Sequence, residues 1–385
     1  MDYKSYFNNI RENNKMAADT INLQPVKGIP TGGLVHIMQH SQIERLAGVN
    51  PGSYVKNPVE TYMACMRNIG MNLLDQYLAE NPLSIGDHGY ESDNDKNKVT
   101  GLGSITLDGI LIDSPEAVAE HIENHAIPNI KKAMTDFNER AVIDKIIGYE
   151  YKIQELVGPT IIKTGDGLIS HPGLQYHVYG FENYFMAYAL YPDVLEKLFS
   201  AEADYGILYN NALVKAYDEG GMPRLIRFEC DLADSRGSMV NMKSLDRIWF
   251  PHFSRSIAPV VSAGIKTLWH CDGNLMDLVP RLLDSGLSGF QGFQYEDGMD
   301  YKKICKMKTK FGEGLIIWAG VSVTRTLPFG KPSDVKKEID WLVENGPETG
   351  MCLCTSSSAV PGVPWKNTVA MVEGFKYYRE HGRKG

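Results

Sequence analysis

From about residue 150 onward, short apolar runs rich in β-branched residues alternate with longer segments of helical periodicity. This alternation is typical of βαβ units, in which helices connect parallel strands and pack on the sheet. It predicts six strands, at 159–164, 225–230, 265–270, 289–296, 315–320 and 351–355. Helices are predicted after them, at 193–217, 241–263, 274–285, 298–310, 333–345 and 364–381.

The fold class predicted from this pattern is α/β, a single (β/α)8 TIM barrel over residues 1–385 with an N-terminal helical and loop extension at 1–25. Six alternations plus the earlier material suit a closed barrel better than an open sheet, although periodicity alone does not separate the two. No G-x-G-x-x-G follows a strand to favour a dinucleotide fold. A helix is predicted at 58–80, and the Gly/Asp/Asn-rich stretch 86–103 is either a covering loop or part of the first βα loop.

Composition excludes several classes of protein. A formal net charge of −8 argues against nucleic acid as the main ligand, because phosphate binding needs a surplus of Lys and Arg. The first residues lack an apolar signal segment, and no apolar run reaches the roughly 18 residues that span a bilayer, so we expect a cytoplasmic protein without a membrane partner. Six irregularly spaced cysteines predict reduced thiols rather than a disulfide framework.

Metal-competent residues end three consecutive predicted strands. Cys230 ends one, His270 ends the next, and Glu296 ends the third. In a barrel these ends meet at one mouth, so the three side chains can converge. A thiolate, an imidazole and a carboxylate are ligands that zinc uses in catalytic sites. We therefore predict a zinc site held by His270, Glu296 and Cys230.

Further polar residues follow the same strands. Asp231, Asp234 and Asp272 are the predicted catalytic carboxylates, although the loop that holds the first two also suits internal hydrogen bonds. Cys354, on the last strand, lies near the predicted mouth. Predicted substrate-binding residues are His171, His177, Arg236 and Tyr295.

These strand ends resemble the uroporphyrinogen decarboxylase superfamily, and within it the corrinoid-dependent methyltransferase branch. The similarity covers roughly residues 25–381. The His-x-Asp-Gly-Asn segment at 270–274, followed by Glu-x-x-Met-Asp at 296–300, is fairly specific to the superfamily, and 43–49, 81–83, 230–237 and 364–367 are supportive. The resemblance implies a single TIM barrel and methyl transfer.

The chain departs from two branches of that superfamily. True uroporphyrinogen decarboxylases carry an Arg-rich N-terminal segment, whereas residues 30–36 here read Pro-Thr-Gly-Gly-Leu-Val-His, which disfavours tetrapyrrole decarboxylation. Methyltransferases that load coenzyme M bind zinc through His-x-Cys, a Glu and a late Cys. Here His270 and Glu296 are kept, but Asp272 and Ser357 stand where the two cysteines would be, so Cys230 is expected to supply the sulfur.

The methyltransferase components of acetogen-type ether demethylases resemble the chain in another spacing. They carry an acidic residue, a cysteine 28 positions later and a further ligand 40 positions beyond it. Glu202, Cys230 and His270 have this spacing, which makes Glu202 an additional candidate zinc ligand.

The resemblance implies that zinc activates the oxygen of an aryl methyl ether and that the methyl passes to cob(I)alamin. The corrinoid must belong to a separate corrinoid protein, because the chain has no D-x-H-x-x-G cobalamin motif. A homodimer is also considered. Aromatic surface for the ring is predicted from a set of which some members must be core: Tyr176, Tyr179, Phe181, Trp269, Phe293 and Tyr295.

Three alternatives stay open. The methyl donor could be a methylamine, a betaine or a methylated corrinoid, with a thiol or a folate as acceptor in the last case. A metal-independent decarboxylase would use Asp231, Asp234 and Arg236 on an acid. A module that only binds a corrinoid or tetrapyrrole is the third.

Overall fold

The structure is a computed structural model, and it describes residues 2–33, 35–79 and 105–383. The predicted loop 86–103 and the segment 81–83 lie outside the described residues. Among the described residues, no helix combines the length and the apolar character that a bilayer span requires.

A parallel six-stranded sheet forms the centre of the fold, and its strands lie side by side in the order 351–355, 316–321, 289–291, 266–270, 225–229 and 165–166. The protein is thus of the α/β class, with the sheet curled into a half-barrel of TIM-like type. The strands along the chain are β1 (Leu73–Leu74), β2 (Thr106–Leu107), β3 (Ile110–Leu111), β4 (Ile162–Lys163), β5 (Gly165–Asp166), β6 (Leu225–Glu229), β7 (Ala233–Asp234), β8 (Gly237–Ser238), β9 (Lys266–His270), β10 (Gly289–Gln291), β11 (Ile316–Val321) and β12 (Met351–Thr355).

Short parallel pairings continue beyond the edges of this sheet. β1 pairs with β4, which lies directly before β5 in the chain. Gly32 forms a parallel bridge with Leu73 of β1, and Thr31 forms one with Leu353 of β12. The remaining short strands pair as antiparallel hairpins, β2 with β3 and β7 with β8.

Helices follow nearly every strand of the main sheet. They are α1 (Tyr3–Asn13), α2 (Lys15–Ile21), α3 (His40–Ala47), α4 (Ser53–Lys56), α5 (Pro58–Ile69), α6 (Pro115–His121), α7 (Ile127–Thr135), α8 (Glu139–Val157), α9 (Tyr176–Tyr179), α10 (Phe181–Leu190), α11 (Pro192–Gly220), α12 (Met242–Ile248), α13 (Phe250–Ser262), α14 (Val279–Ser285), α15 (Tyr301–Ile304), α16 (Thr326–Phe329), α17 (Pro332–Asn345) and α18 (Trp365–His381). A π-helix covers Ile122–Ala126, and a 3₁₀ turn covers Tyr295–Asp297.

Each of the six predicted strands corresponds to a strand of the structure, but the one at 289–296 is too long. β10 ends at Gln291 because Gly292 adopts a positive φ of 68°, and a Cβ there would lie 2.1 Å from the carbonyl oxygen of Ser356. Glu296 therefore lies in a 3₁₀ turn rather than at a strand end.

Some predicted helices are shorter or divided. The helix at 58–80 ends at Ile69, because Gly70 adopts the left-handed conformation that terminates helices, and β1 follows. The segment 241–263 forms two helices that meet at Trp249. Of 298–310 only α15 is helical, and α14 begins five residues after the predicted start at 274.

Aromatic side chains fill the layer between the sheet and the helices. Trp269 of β9 packs edge to face on Phe228 of β6 and on Phe253 of α13, with centroid distances of 5.2 and 5.5 Å. Trp269, Phe293 and Tyr179 are fully buried, so these three are the members of the predicted aromatic set that belong to the core.

Close approach of β10 and β11 gives the first testable prediction. A Cβ at Gly289 would lie 1.8 Å from the carbonyl oxygen of Ile316, so Gly289→Ala should lower the free energy of unfolding by about 1–3 kcal/mol or more. Gly148 in α8 has no neighbour within 4 Å, and Gly148→Ala should instead stabilise by roughly 0.5–1 kcal/mol. Urea unfolding of both variants measures the difference. Equal effects would contradict this packing.

Candidate functional site

Polar residues from several parallel strands meet at one edge of the sheet. β6 ends at Glu229, β9 at His270 and β10 at Gln291. These residues lie at the same level, because His270 is in register with both Glu229 and Gln291. We call this edge, with the loops that follow it, the strand-end face. It is the edge at which barrel enzymes place their active sites.

Alternation along the strands decides which side chains point away from the helices. Phe228 and Trp269 pack against Phe253 of the helix layer. Their neighbours Arg227 and His270 therefore point to the opposite side of the sheet. The charge of Arg227 also acts on His270, which agrees with this placement.

The imidazole of His270 is buried and held in one tautomer. Its Nδ1 lies 3.1 Å from the carbonyl oxygen of Gln291, which can only accept, so Nδ1 carries the hydrogen. Nε2 is left unprotonated, 3.9 Å from Oδ1 of Asp272. Burial, helped by the positive charge of Arg227, lowers the pKa of His270 to about 3. A neutral ring with a free Nε2 can bind a metal or accept a proton.

Asp272 connects the loops after three strands. Gln294 Nε2 donates to its Oδ1 at 2.9 Å, and Ser357 Oγ lies 3.4 Å from its Oδ2. Burial and the negative charge of Asp231 raise the pKa of Asp272 to about 6. Burial and the negative charge of Glu229 also raise the pKa of Asp231. These predicted catalytic carboxylates lie together on the strand-end face.

Arg227 is a buried charged residue beside the strand-end face that the sequence analysis did not single out. Its guanidinium, 2% exposed, donates to Asp166 at 3.0 Å and to Glu229 at 2.6 Å, and its Nε lies 3.5 Å from fully buried Asp75. Burial lowers the pKa of Arg227, but the three carboxylates outweigh that effect and raise it. Burial raises the pKa of Asp75 to about 6. The available signal was a charged residue inside the apolar run Leu-Ile-Arg-Phe, since buried charges require partners.

Asp234 and Arg236 bind one another in the turn of the β7–β8 hairpin. Arg236 Nη2 lies 2.6 Å from Oδ2 of Asp234, and hydrogen bonds from Arg236 lower the pKa of that carboxyl. The Arg236 side chain is 88% exposed. The backbone N–H of Asn274 donates to the carbonyl of Asp234 at 2.8 Å, which ties the hairpin to the loop after β9.

The other predicted substrate-binding residues lie in three separate places. The His171 ring packs edge to face on Phe228, and burial lowers its pKa. His177 is exposed on α9. The Tyr295 hydroxyl donates to the carbonyl of Gly320, and burial raises its pKa.

Glu296 lies beside α17, in a pocket separate from His270 and Asp272. Its Oε1 accepts hydrogen bonds from the hydroxyls of Ser322, at 2.5 Å, and Thr324. Glu338 of α17 shares this pocket and accepts the Ser322 N–H at 2.8 Å. Burial and the charge of Glu296 raise the pKa of Glu338.

Cys230 and Glu202 adjoin the loop before α9. Glu202, on α11, accepts hydrogen bonds from the Gln175 side chain and the Gly173 backbone, and burial raises its pKa to about 8. The Cys230 Sγ lies 3.8 Å from where a Cβ on Gly173 would be, and burial raises the pKa of this thiol to about 12. Cys354 is buried on β12, with its Sγ 3.9 Å from the Gln291 side chain.

The structure thus groups the predicted metal ligands differently from the sequence analysis. His270 adjoins Asp272, Cys230 adjoins Asp231, Glu202 and Gly173, and Glu296 adjoins Glu338. Within residues 2–33, 35–79 and 105–383, no three His, Cys, Asp or Glu side chains are placed to hold a metal ion.

Comparison with protein-family models and with curated proteins gives no match. Among solved structures, a methyltransferase from Methanosarcina mazei aligns over 95% of this chain and 98% of its own, with a TM-score of 0.57 and 18% identity. This likeness establishes a shared fold. A B12-independent methionine synthase from a Shewanella species aligns over 48% of this chain and 55% of its own, with a TM-score of 0.28 and 15% identity.

The second prediction concerns the buried guanidinium. Arg227→Met should lower the free energy of unfolding by about 3–5 kcal/mol, because it leaves Asp75 and its neighbours without their counter-charge. Arg236→Met is the control: that arginine is also ion-paired but exposed, so its loss should cost less than about 1 kcal/mol. Urea unfolding compares the two variants. Similar losses of unfolding free energy in the two variants would mean that Arg227 is not needed to neutralise the buried carboxylates.

Proposed function

We propose that the protein is a methyltransferase built on a closed eight-stranded (β/α)8 barrel. If two further strands complete the ring, three parallel contacts are expected. They are the bridge of Thr31 with Leu353, the bridge of Gly32 with Leu73, and the pairing of β1 with β4. The shared fold with a methyltransferase over nearly the full length of both chains supports the same reading.

The proposed reaction moves a methyl group from a small methylated compound, an aryl methyl ether, to cob(I)alamin on a separate corrinoid protein. The cluster of His270, Asp272 and Asp231 on the strand-end face is the observation that carries this proposal, since barrel enzymes act at that face. The methyl–oxygen bond breaks and its electron pair stays on the phenolate oxygen. The methyl carbon bonds to cobalt, which passes from Co(I) to Co(III).

The residues of the strand-end face have distinct proposed roles. Asp231 or Asp272, in its protonated form, donates a hydrogen bond to the ether oxygen and gives that proton to the phenolate oxygen as the methyl leaves, whereas Asp234 orders the hairpin beside them through Arg236. His270, with its tautomer fixed by Gln291, offers Nε2 to the reacting group. His171, His177 and Tyr295 remain proposed substrate contacts.

Zinc dependence is part of this proposal, with His270, Glu296 and Cys230 as ligands and Glu202 as a further candidate. The described geometry does not fit that set as it stands, because the Glu296 carboxylate accepts two hydroxyls in a separate pocket and Cys230 lies beside Gly173. No step of the transfer is therefore assigned to the metal.

Metal content tests the zinc hypothesis directly. Zinc binding by this set requires the Glu296 and Cys230 side chains to leave their present neighbours and turn toward His270. If they do, protein produced with zinc should carry about one ion per chain, because these donor types form zinc sites, and His270→Ala and Cys230→Ser should lose most of it. Cys305→Ser is the matched control, since that thiol lies beside Tyr301. Elemental analysis after gel filtration gives the ratios. Zinc-free wild-type protein, or equal zinc in all variants, would refute the assignment.

A spectroscopic assay tests the transfer itself. The protein is mixed with a corrinoid protein in the Co(I) state and a panel of methoxylated aromatics, and the methyl-Co(III) spectrum should appear. Asp231→Asn should slow its appearance roughly 100-fold, as loss of a proton-exchanging group does, with little change in melting temperature. Asp193→Asn, at an exposed site on α11, should leave the rate unchanged. Absence of methyl-Co(III) with every donor would favour the decarboxylase or binding-module alternatives.

One observation favours a second class of donor, the methylated ammonium compounds. Carboxylates outnumber cations around Arg227 and the strand-end face: Asp75, Asp166, Glu229, Asp231 and Asp272. Such a surface attracts cations and repels acids, which also counts against the decarboxylase alternative. Trimethylammonium compounds therefore belong in the same assay. Their KM should rise with ionic strength, whereas that of a neutral ether should not.

A further inference from the structure

A strongly basic segment connects α15 to β11. Five of the nine residues from 302 to 310 are lysine and none is arginine. All five lysine side chains are exposed: Lys302, Lys303, Lys306, Lys308 and Lys310. The whole chain carries a formal net charge of −8, so this concentration of positive charge is a local feature, and it attracts anionic partners. We call residues 302–311 the basic segment.

The carboxylates nearest in sequence do not neutralise these lysines. Asp300 caps the N-terminus of α15, and Glu313 pairs with Lys266 at the start of β9. Among the described residues, none of the five lysines forms an ion pair. Lys310 donates instead to the uncharged carbonyl oxygen of Ser285, at 3.3 Å. The positive charge of the basic segment is therefore available to a partner.

A hydrogen-bonded turn at the end of the basic segment carries an aromatic side chain. Lys308 forms an antiparallel bridge with Gly314, and the hydroxyl of buried Thr309 accepts the N–H of Phe311 at 3.3 Å. The Phe311 ring is nevertheless 63% exposed, with the Lys310 Nζ 5.3 Å from its centroid. Because the backbone bonds hold the turn without burying this ring, its apolar surface is available to an apolar phase.

The turn lies at the end of β11 opposite the strand-end face. It directly precedes β11, which begins at Ile316, whereas the strand-end face lies where the parallel strands end. A surface bound at the turn would therefore leave the strand-end face open. The proposal below does not depend on the proposed methyl transfer.

We propose that the basic segment binds the surface of an anionic lipid bilayer. The lysines lie over the lipid phosphates, and the Phe311 ring enters the boundary between headgroups and acyl chains. Peripheral binding of this kind needs no spanning helix. It therefore differs from the membrane association that the lack of a long apolar run argues against.

The absence of arginine from the basic segment favours a bilayer over other anionic partners. Lysine is a compact, hydrated point charge, which suits a fluid layer of anionic headgroups. Protein interfaces are enriched in Arg and depleted in Lys, and the planar guanidinium of Arg suits nucleic-acid recognition. The exposed phenyl ring adds an apolar contact that a bilayer boundary accommodates.

Co-sedimentation of the full chain with two kinds of vesicle tests the proposal. One kind is phosphatidylcholine alone, and the other is equal parts of phosphatidylcholine and phosphatidylglycerol. We expect binding to the anionic vesicles to be at least about tenfold stronger than to the neutral ones, and to weaken as ionic strength rises.

Two triple variants test the contribution of the lysines. Lys306→Gln/Lys308→Gln/Lys310→Gln should weaken binding to anionic vesicles at least about tenfold, because each lysine near an anionic surface contributes to binding. The control exchanges three exposed lysines of α7 and α8 and changes the net charge equally: Lys131→Gln/Lys145→Gln/Lys152→Gln. This control variant should bind as wild type does.

Exchange of the aromatic ring separates a bilayer from a purely electrostatic partner. Phe311→Ser should weaken binding to anionic vesicles about fivefold, because it removes the apolar group that enters the boundary. Phe329→Ser is the matched control, since that ring is 84% exposed but follows β11 at its opposite end, and binding should be unchanged.

Poly-glutamate and a DNA duplex are titrated in parallel as soluble polyanions. Three results would overturn the proposal. They are equal binding to the two kinds of vesicle, equal weakening by the two triple variants, and binding of either soluble polyanion as tightly as the anionic vesicles. The last result would assign the basic segment to an acidic protein or to nucleic acid.

Discussion

The arrangement of the strand-end face depends on the buried guanidinium of Arg227. This cation in the middle of β6 pairs with two carboxylates from other segments, Asp75 after β1 and Asp166 of β5, and with Glu229 at the end of its own strand. Burying Arg227 or Asp75 without the other would cost several kcal/mol. The ion cluster therefore fixes how strands distant in sequence come together, and its field also reaches His270.

The carboxyl groups outside that cluster lie in different places and have different hydrogen-bond partners. Asp231 and Asp272 lie on the strand-end face, Glu296 and Glu338 lie in a pocket beside α17, and Glu202 lies on α11 beside Gln175. Each group has its own partners, so each has a different tendency to hold a proton. Zinc binding by His270, Glu296 and Cys230 therefore stays a prediction, and it would require these side chains to exchange their present partners for the metal.

Local pattern predicted the repeating strands and helices well, because a buried parallel strand needs a continuous apolar run and a covering helix needs an apolar stripe. It failed where a single backbone position ended an element. Gly292 stops β10 after three residues and Gly70 ends α5, and in each case a positive φ outweighs the apolar residues that follow. β1, with two residues, is too short to produce a pattern.

By itself, the sequence determined the α/β class, the order of the strands along the chain and which polar residues follow them, since these depend only on local periodicity. That His270 and Asp272 end up adjacent was also predictable, because they share one strand end. Only the tertiary structure decided that Glu296 turns toward Ser322, that Cys230 adjoins Gly173 and that Arg227 sits among three carboxylates. The reason is physical: a buried polar group takes whichever partner the packing of distant elements places within hydrogen-bond reach, and that distance is not encoded in spacing along the chain.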